Sequence, residues 1–84
     1  MSQTFTFTIY TKGYCRYCTL AKQALSDRGL SYLEISLDDE KKLENFKQAF
    51  PNCKTVPQVI NHRDGVDSHI GGYTDLMNWL SGES

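Results

Sequence analysis

Two cysteines stand three residues apart in "TKGYCRYC", residues 11–18, with Lys12, Arg16 and two tyrosines around them. A thiolate is a nucleophile, and a C-x-x-C arrangement lowers the pKa of the first cysteine. The second thiol of such a pair can attack the mixed disulfide that the first one makes. The spacing therefore suits thiol–disulfide exchange, with Cys15 attacking and Cys18 resolving. The competing chemistry is half of a zinc site, which needs four ligands. The remaining candidates are Cys53, His62 and His69, and none of them forms a second paired motif. A purely structural bridge between adjacent helical turns would close a very short loop and stabilise little.

The pair needs a particular frame. "TFTFTIY", residues 4–10, alternates Phe5, Phe7 and Ile9 with threonines, the period of a strand. From Tyr17 the period changes, and Tyr17, Leu20, Ala21, Ala24 and Leu25 fall on one helical face. Gly29 is placed to end that helix. Cys15 thus sits at a strand-to-helix junction, where unpaired N–H groups and the helix dipole favour a negative sulfur. Cys18, one turn on, is expected to lie shielded behind it. "SYLEISL" reads as a second strand with Leu33, Ile35 and Leu37 on one face. "DDEKKLENFKQAF" reads as a helix with acids in its first turn and Leu43, Phe46 and Phe50 inward, ended by Pro51. "PQVI" and "DSHI" are two short strands joined through "NHRDG", whose Asp64-Gly65 is a turn signal. "GGYTDLMNWLSG" closes the chain as a helix with Tyr73, Leu76, Met77 and Leu80 inward. The order is β-α-β-α-β-β-α: an α/β fold with a four-stranded mixed sheet and helices on both faces.

Composition narrows the function classes. The chain has 84 residues, the size of one small domain spanning 1–84. A net charge of −1 leaves no basic field for nucleic acid. No run approaches the ~20 apolar residues of a membrane span. "MSQTFTFTIY" lacks the basic and apolar regions of a signal peptide. Three cysteines, two of them adjacent in the pattern, suggest a reducing compartment, hence the cytoplasm.

Taken together, "YTKGYCRYC", "KTVPQV" and "HIGGYTDL" resemble a glutaredoxin, over Phe5 to about Leu80. The resemblance implies a thioredoxin-like fold and a glutathione-dependent thiol–disulfide oxidoreductase acting through Cys15 and Cys18. Glutathione would be its reducing co-substrate. Its other partners would be disulfide-bonded or glutathionylated proteins, ribonucleotide reductase among the candidates. It would work as a monomer, without nucleic acid or membrane. Pro57 matches a proline that the family holds in cis, presenting the Val56 backbone to the glutathione cysteine. The Thr74 backbone N–H would hold the γ-glutamyl carboxylate and Asp75 its ammonium. Gly71 and Gly72 would let the ligand approach closely. Lys12 would hold the glycine carboxylate, and Tyr17 would wall the groove, with Thr55 and Tyr73 beside it. Each residue also has a plain role available: solvated charge for Lys12 and Arg16, core face for Tyr17, simple turn for Gly71-Gly72, edge strand for Pro57.

The chain departs from the family pattern in three places. Arg16 stands where the family's C-P-Y-C has proline. Glu44 occupies a helix position where many relatives carry Gln or Arg for the glycine carboxylate, so it is left out of the site, with Lys41, Lys42 or Lys47 as substitutes. Cys53 precedes "KTVP" and reads as a packed or half-exposed free thiol. The alternative to the oxidoreductase is a [2Fe–2S] carrier, with two chains each lending Cys15 and two glutathiones completing four thiolates.

Overall fold

A computed structural model of the protein describes residues 6–62 and 65–83. Its elements run β1 (Phe7–Thr11), α1 (Arg16–Asp27), β2 (Tyr32–Ser36), α2 (Glu40–Ala49), β3 (Gln58–Asn61), β4 (Ser68–Gly71) and α3 (Tyr73–Glu83). The expected order is therefore present. Thr4 and Phe5 of the anticipated first strand, and Asp64 of the turn, lie outside the described residues.

The four strands form one mixed sheet in the order β2-β1-β3-β4. β1 runs parallel to β2, with Phe7 opposite Tyr32, and antiparallel to β3, with Ile9 opposite Val59. β3 and β4 pair antiparallel, with an irregularity between Val59 and Ile60. Phe7 and Ile9, fully buried, face Ala21 and Leu25 of α1 and Leu76 and Leu80 of α3. Phe7, Ile9 and each of these leucines contribute about 1.5–3 kcal/mol by leaving water. Tyr10, on the other face of β1, packs on Phe46 and Phe50 at 4.8 and 6.0 Å between ring centroids. The sheet is thus covered by α1 and α3 on one side and by α2 on the other.

With helices on both sides of the sheet, the buried polar residues of β1 need partners. Thr8 hydrogen-bonds His62 Nε2 at 2.7 Å, and Thr11 Oγ1 donates to Glu34 at 2.7 Å.

The inward face of α1 differs from the expected one. Cys18, Ala21, Ala24 and Leu25 are buried, whereas Tyr17 and Leu20 are exposed. The helix begins one residue before Tyr17, with Cys15 as its cap, and the core takes the stripe that contains Cys18. Of the expected second strand, Leu37 lies just past the end of β2 and is buried, whereas Leu33 is exposed on this edge strand. Gly29, at φ +68°, follows the end of α1 in the left-handed conformation that glycine adopts without strain.

Candidate active site

Cys15 sits between β1 and α1 with extended backbone, and its sulfur accepts the Cys18 backbone N–H at 3.1 Å. The sulfur therefore takes the place of the oxygen that usually caps a helix. Cys15 is partly exposed and Cys18 only 2 % exposed, because the first turn of α1 carries Cys18 down onto the core. The two are joined as a disulfide, with their Cα atoms 5.2 Å apart. The loop before them is tethered by Asp38, whose carboxylate accepts the Gly13 N–H at 2.9 Å. Tyr14, fully exposed, adopts a left-handed φ of 56°. That conformation is uncommon outside glycine and turns the chain sharply into the helix.

Opposite the pair stands Thr55-Val56-Pro57, with the Val56–Pro57 peptide in cis. Cys15 Sγ lies 3.8 Å from the Val56 carbonyl oxygen. From here an open groove of about 700 Å³ runs along Tyr17, Thr55, Val56, Pro57, Gln58 and His69 to Gly71, Gly72, Tyr73, Thr74 and Asp75. Tyr17 and Tyr73 pack at 5.6 Å between centroids and form one wall. At the far end, Gly72 precedes α3. Its carbonyl accepts the Leu76 N–H at 2.9 Å, and its N–H donates to the Asp75 carboxylate at 3.2 Å. This is the return half of a capping box, since glycine at the cap has no side chain to accept from Asp75 N–H. Gly71 is required by both conformation and space: its φ is +122°, and a Cβ would run into the Asp75 carboxylate.

The structure brings together every anticipated groove residue except Lys12. Lys12 is exposed and lies in a second cleft, of about 610 Å³, whose lining includes Tyr14, Cys15, Arg16, Lys22 and Glu34. Cys15 stands between the two clefts. Glu34 is held below the usual carboxylate range, first by the Thr11 hydroxyl and also by Lys22, whose Nζ lies 3.1 Å away. Partial burial opposes that shift. Cys53 is half-buried, with its sulfur 3.9 Å from His69 Nε2. Glu44 is exposed. Among the described residues, no group of three or more His, Cys, Asp and Glu side chains is placed to hold a metal ion, and no helix is long and apolar enough to cross a membrane.

A buried sulfur bonded to a partly exposed one at a helix start, with Thr55-Val56-Pro57 opposite, is an arrangement built for disulfide exchange. The glutaredoxin family model matches residues 7–66. The chain belongs to the glutaredoxin family. A glutaredoxin of Neisseria meningitidis is 35% identical over 84% of this chain and 80% of its own length. Glutaredoxin 3 of Escherichia coli is 41% identical over 81% of this chain and 77% of its own. The buckwheat glutaredoxin–glutathione complex superposes with a TM-score of 0.76 at 28% identity, covering 93% of this chain and 70% of that one. The thioredoxin-like fold and the redox pair stand, and this glutaredoxin is a thiol–disulfide oxidoreductase.

Sequence reasoning passed over the roles of Gln58, Asp38 and Glu34. The contacts of Gln58 with His69, Asp38 with Gly13 and Glu34 with Thr11 span 11 to 25 residues of chain, and no short-range pattern reports them.

Proposed function

We propose that this glutaredoxin binds glutathione along the groove and uses it to reduce glutathionylated and disulfide-bonded proteins. The single observation that carries the reading is the approach of Cys15 Sγ to the Val56 carbonyl, 3.8 Å, at the head of a groove ending in a helix N-terminus. An extended tripeptide can pair with the Val56 backbone as an added strand, bringing its sulfur to Cys15. At the far end, the first N–H groups of α3 have no partner within the helix and suit the γ-glutamyl carboxylate. The Asp75 carboxylate, already bound to Gly72 N–H, retains lone pairs for the ammonium. Lys12, across Cys15, meets the glycine carboxylate, and Tyr17 and Tyr73 close the side.

In the first route, the Cys15 thiolate attacks the glutathione sulfur of a protein–glutathione disulfide. A Cys15–glutathione bond forms, the protein–glutathione bond breaks, and the protein thiolate leaves to take a proton from water. A second glutathione thiolate then attacks the bound glutathione sulfur, giving glutathione disulfide and freeing Cys15. In the second route, Cys15 attacks a protein disulfide and Cys18, deprotonated, attacks the resulting mixed disulfide at Cys15. The substrate leaves as a dithiol, and the Cys15–Cys18 bridge is reduced by two glutathiones.

The test is the Michaelis constant for glutathione in Lys12→Ala and Asp75→Asn. The asparagine keeps an oxygen for Gly72 N–H and removes the charge. Exposed ion pairs contribute about 0.2–1 kcal/mol, so each variant should raise the constant by a few-fold at most, and less at high salt. Unchanged constants in both would place the ligand elsewhere.

A further inference from the structure

Gln58, at the start of β3, is 6 % exposed and lies between the groove and the sheet. Its Nε2 is 3.0 Å from the Thr55 carbonyl oxygen and 3.3 Å from Thr55 Oγ1. A carbonyl oxygen only accepts, so the amide end that faces it is the NH₂. The Gln58 Oε1 is then left to accept, and His69 Nε2 stands 2.7 Å from it. That nitrogen must carry a hydrogen. His69 itself packs on Phe50 at 5.1 Å between ring centroids.

The chain of contacts ends at the reacting sulfur. Both side-chain hydrogen bonds recorded on Thr55 among the described residues come from Gln58. Thr55 leads directly into Val56, whose carbonyl faces Cys15. One buried amide therefore ties the segment opposite the nucleophile to the sheet. We propose that Gln58, oriented by the Nε2–H of His69, is a positioning residue that sets Thr55-Val56-Pro57 at the distance from Cys15 that glutathione needs. The inference rests on the reading that glutathione lies along this groove. Neither side chain touches the reacting sulfurs. The pair acts on how the Val56 backbone is presented, so it governs the Michaelis constant for glutathione rather than the reactivity of Cys15.

Gln58→Leu keeps the volume and removes the hydrogen bonds to both Thr55 and His69. Gln58→Glu keeps an acceptor for His69 but turns a carboxylate toward the Thr55 carbonyl. Loss of such bonds changes an equilibrium by about 2- to 12-fold. Both variants should raise the Michaelis constant for glutathione by that factor, with the alkylation rate of Cys15 unchanged. His69→Phe should raise it as well, and His69→Gln, which can still donate to Gln58, should recover most of the loss. In the unaltered protein, ¹⁵N spectra of the His69 ring at a pH where it is neutral should show the proton on Nε2. That measurement does not depend on any variant folding. A proton on Nδ1, or a folded Gln58→Leu with the parental Michaelis constant, overturns the inference. Titration of the unaltered reduced protein with S-methylglutathione separates the two levels. Shifts of the Gly72 and Thr74 amides support the groove, and with them an unchanged Gln58→Leu sinks only the positioning role. Shifts confined to other amides remove the groove reading and this inference with it.

Discussion

The Cys18 backbone N–H donates to Cys15 Sγ across 3.1 Å, so the first cysteine caps the helix that carries the second. A hydrogen bond to an ionised acceptor is stronger than one to a neutral acceptor, which favours the thiolate of Cys15 once the pair is reduced. Cys18, 2 % exposed, has neither the position nor the access. Limited iodoacetamide treatment of the reduced protein, followed by peptide mass mapping, should therefore modify Cys15 before Cys18. Cys18 reacting first would reverse the two roles.

Cys18 is used in only one of the two routes. Cys18→Ser should keep turnover of glutathionylated substrates and lose most reduction of protein disulfides. Equal loss of both activities in a folded variant would count against separate routes.

The Gly71-Gly72 turn gives a stability prediction. An alanine at a positive φ destabilises by more than about 0.4–1 kcal/mol, and at Gly71 its Cβ also meets the Asp75 carboxylate. Gly71→Ala should lower the urea midpoint. Adding Asp75→Ala should recover the steric part while losing the capping bond to Gly72, so the two changes should couple in a double-mutant cycle. Strict additivity would mean that the two residues do not crowd each other.

The acid limb of stability should involve Glu34. Its carboxyl is held low in the folded protein, chiefly by Thr11. A group whose pKa is depressed by folding stabilises above its unfolded value and loses that contribution as pH falls through the folded value. Unfolding midpoints of the parent should thus drop as pH falls below the ordinary glutamate value of about 4.3. Glu34→Gln should flatten part of that drop. Parallel profiles for parent and variant would show that Glu34 does not contribute.

Much of this was legible in the chain. Period-two and period-3.6 stretches gave the element order, and the resemblance of the C-x-x-C, T-V-P and G-G-x-x-D segments to glutaredoxins pointed to residues that the fold brings together. Two kinds of feature were not legible. Ala21, Ala24 and Leu25 of the expected stripe are buried, but its Tyr17–Leu20 side is exposed because the core takes the side that carries Cys18, about 100° round the helix from Tyr17. Lys12 in a cleft of its own, and the Gln58–His69 link, depend on contacts between distant parts of the chain. Thr8 alternates with the apolar residues of the first strand, yet it is buried, as Thr11 is, because β1 is central.

The central claim is that Cys15 takes the glutathionyl group. Its most direct measurement uses Cys18→Ser, in which the adduct cannot be resolved internally. Incubation of the reduced variant with a glutathionylated peptide, then digestion and mass spectrometry, should find one glutathionyl group, on Cys15, removable by free glutathione. An adduct on Cys53 instead, or none while the substrate is still reduced, would contradict the account.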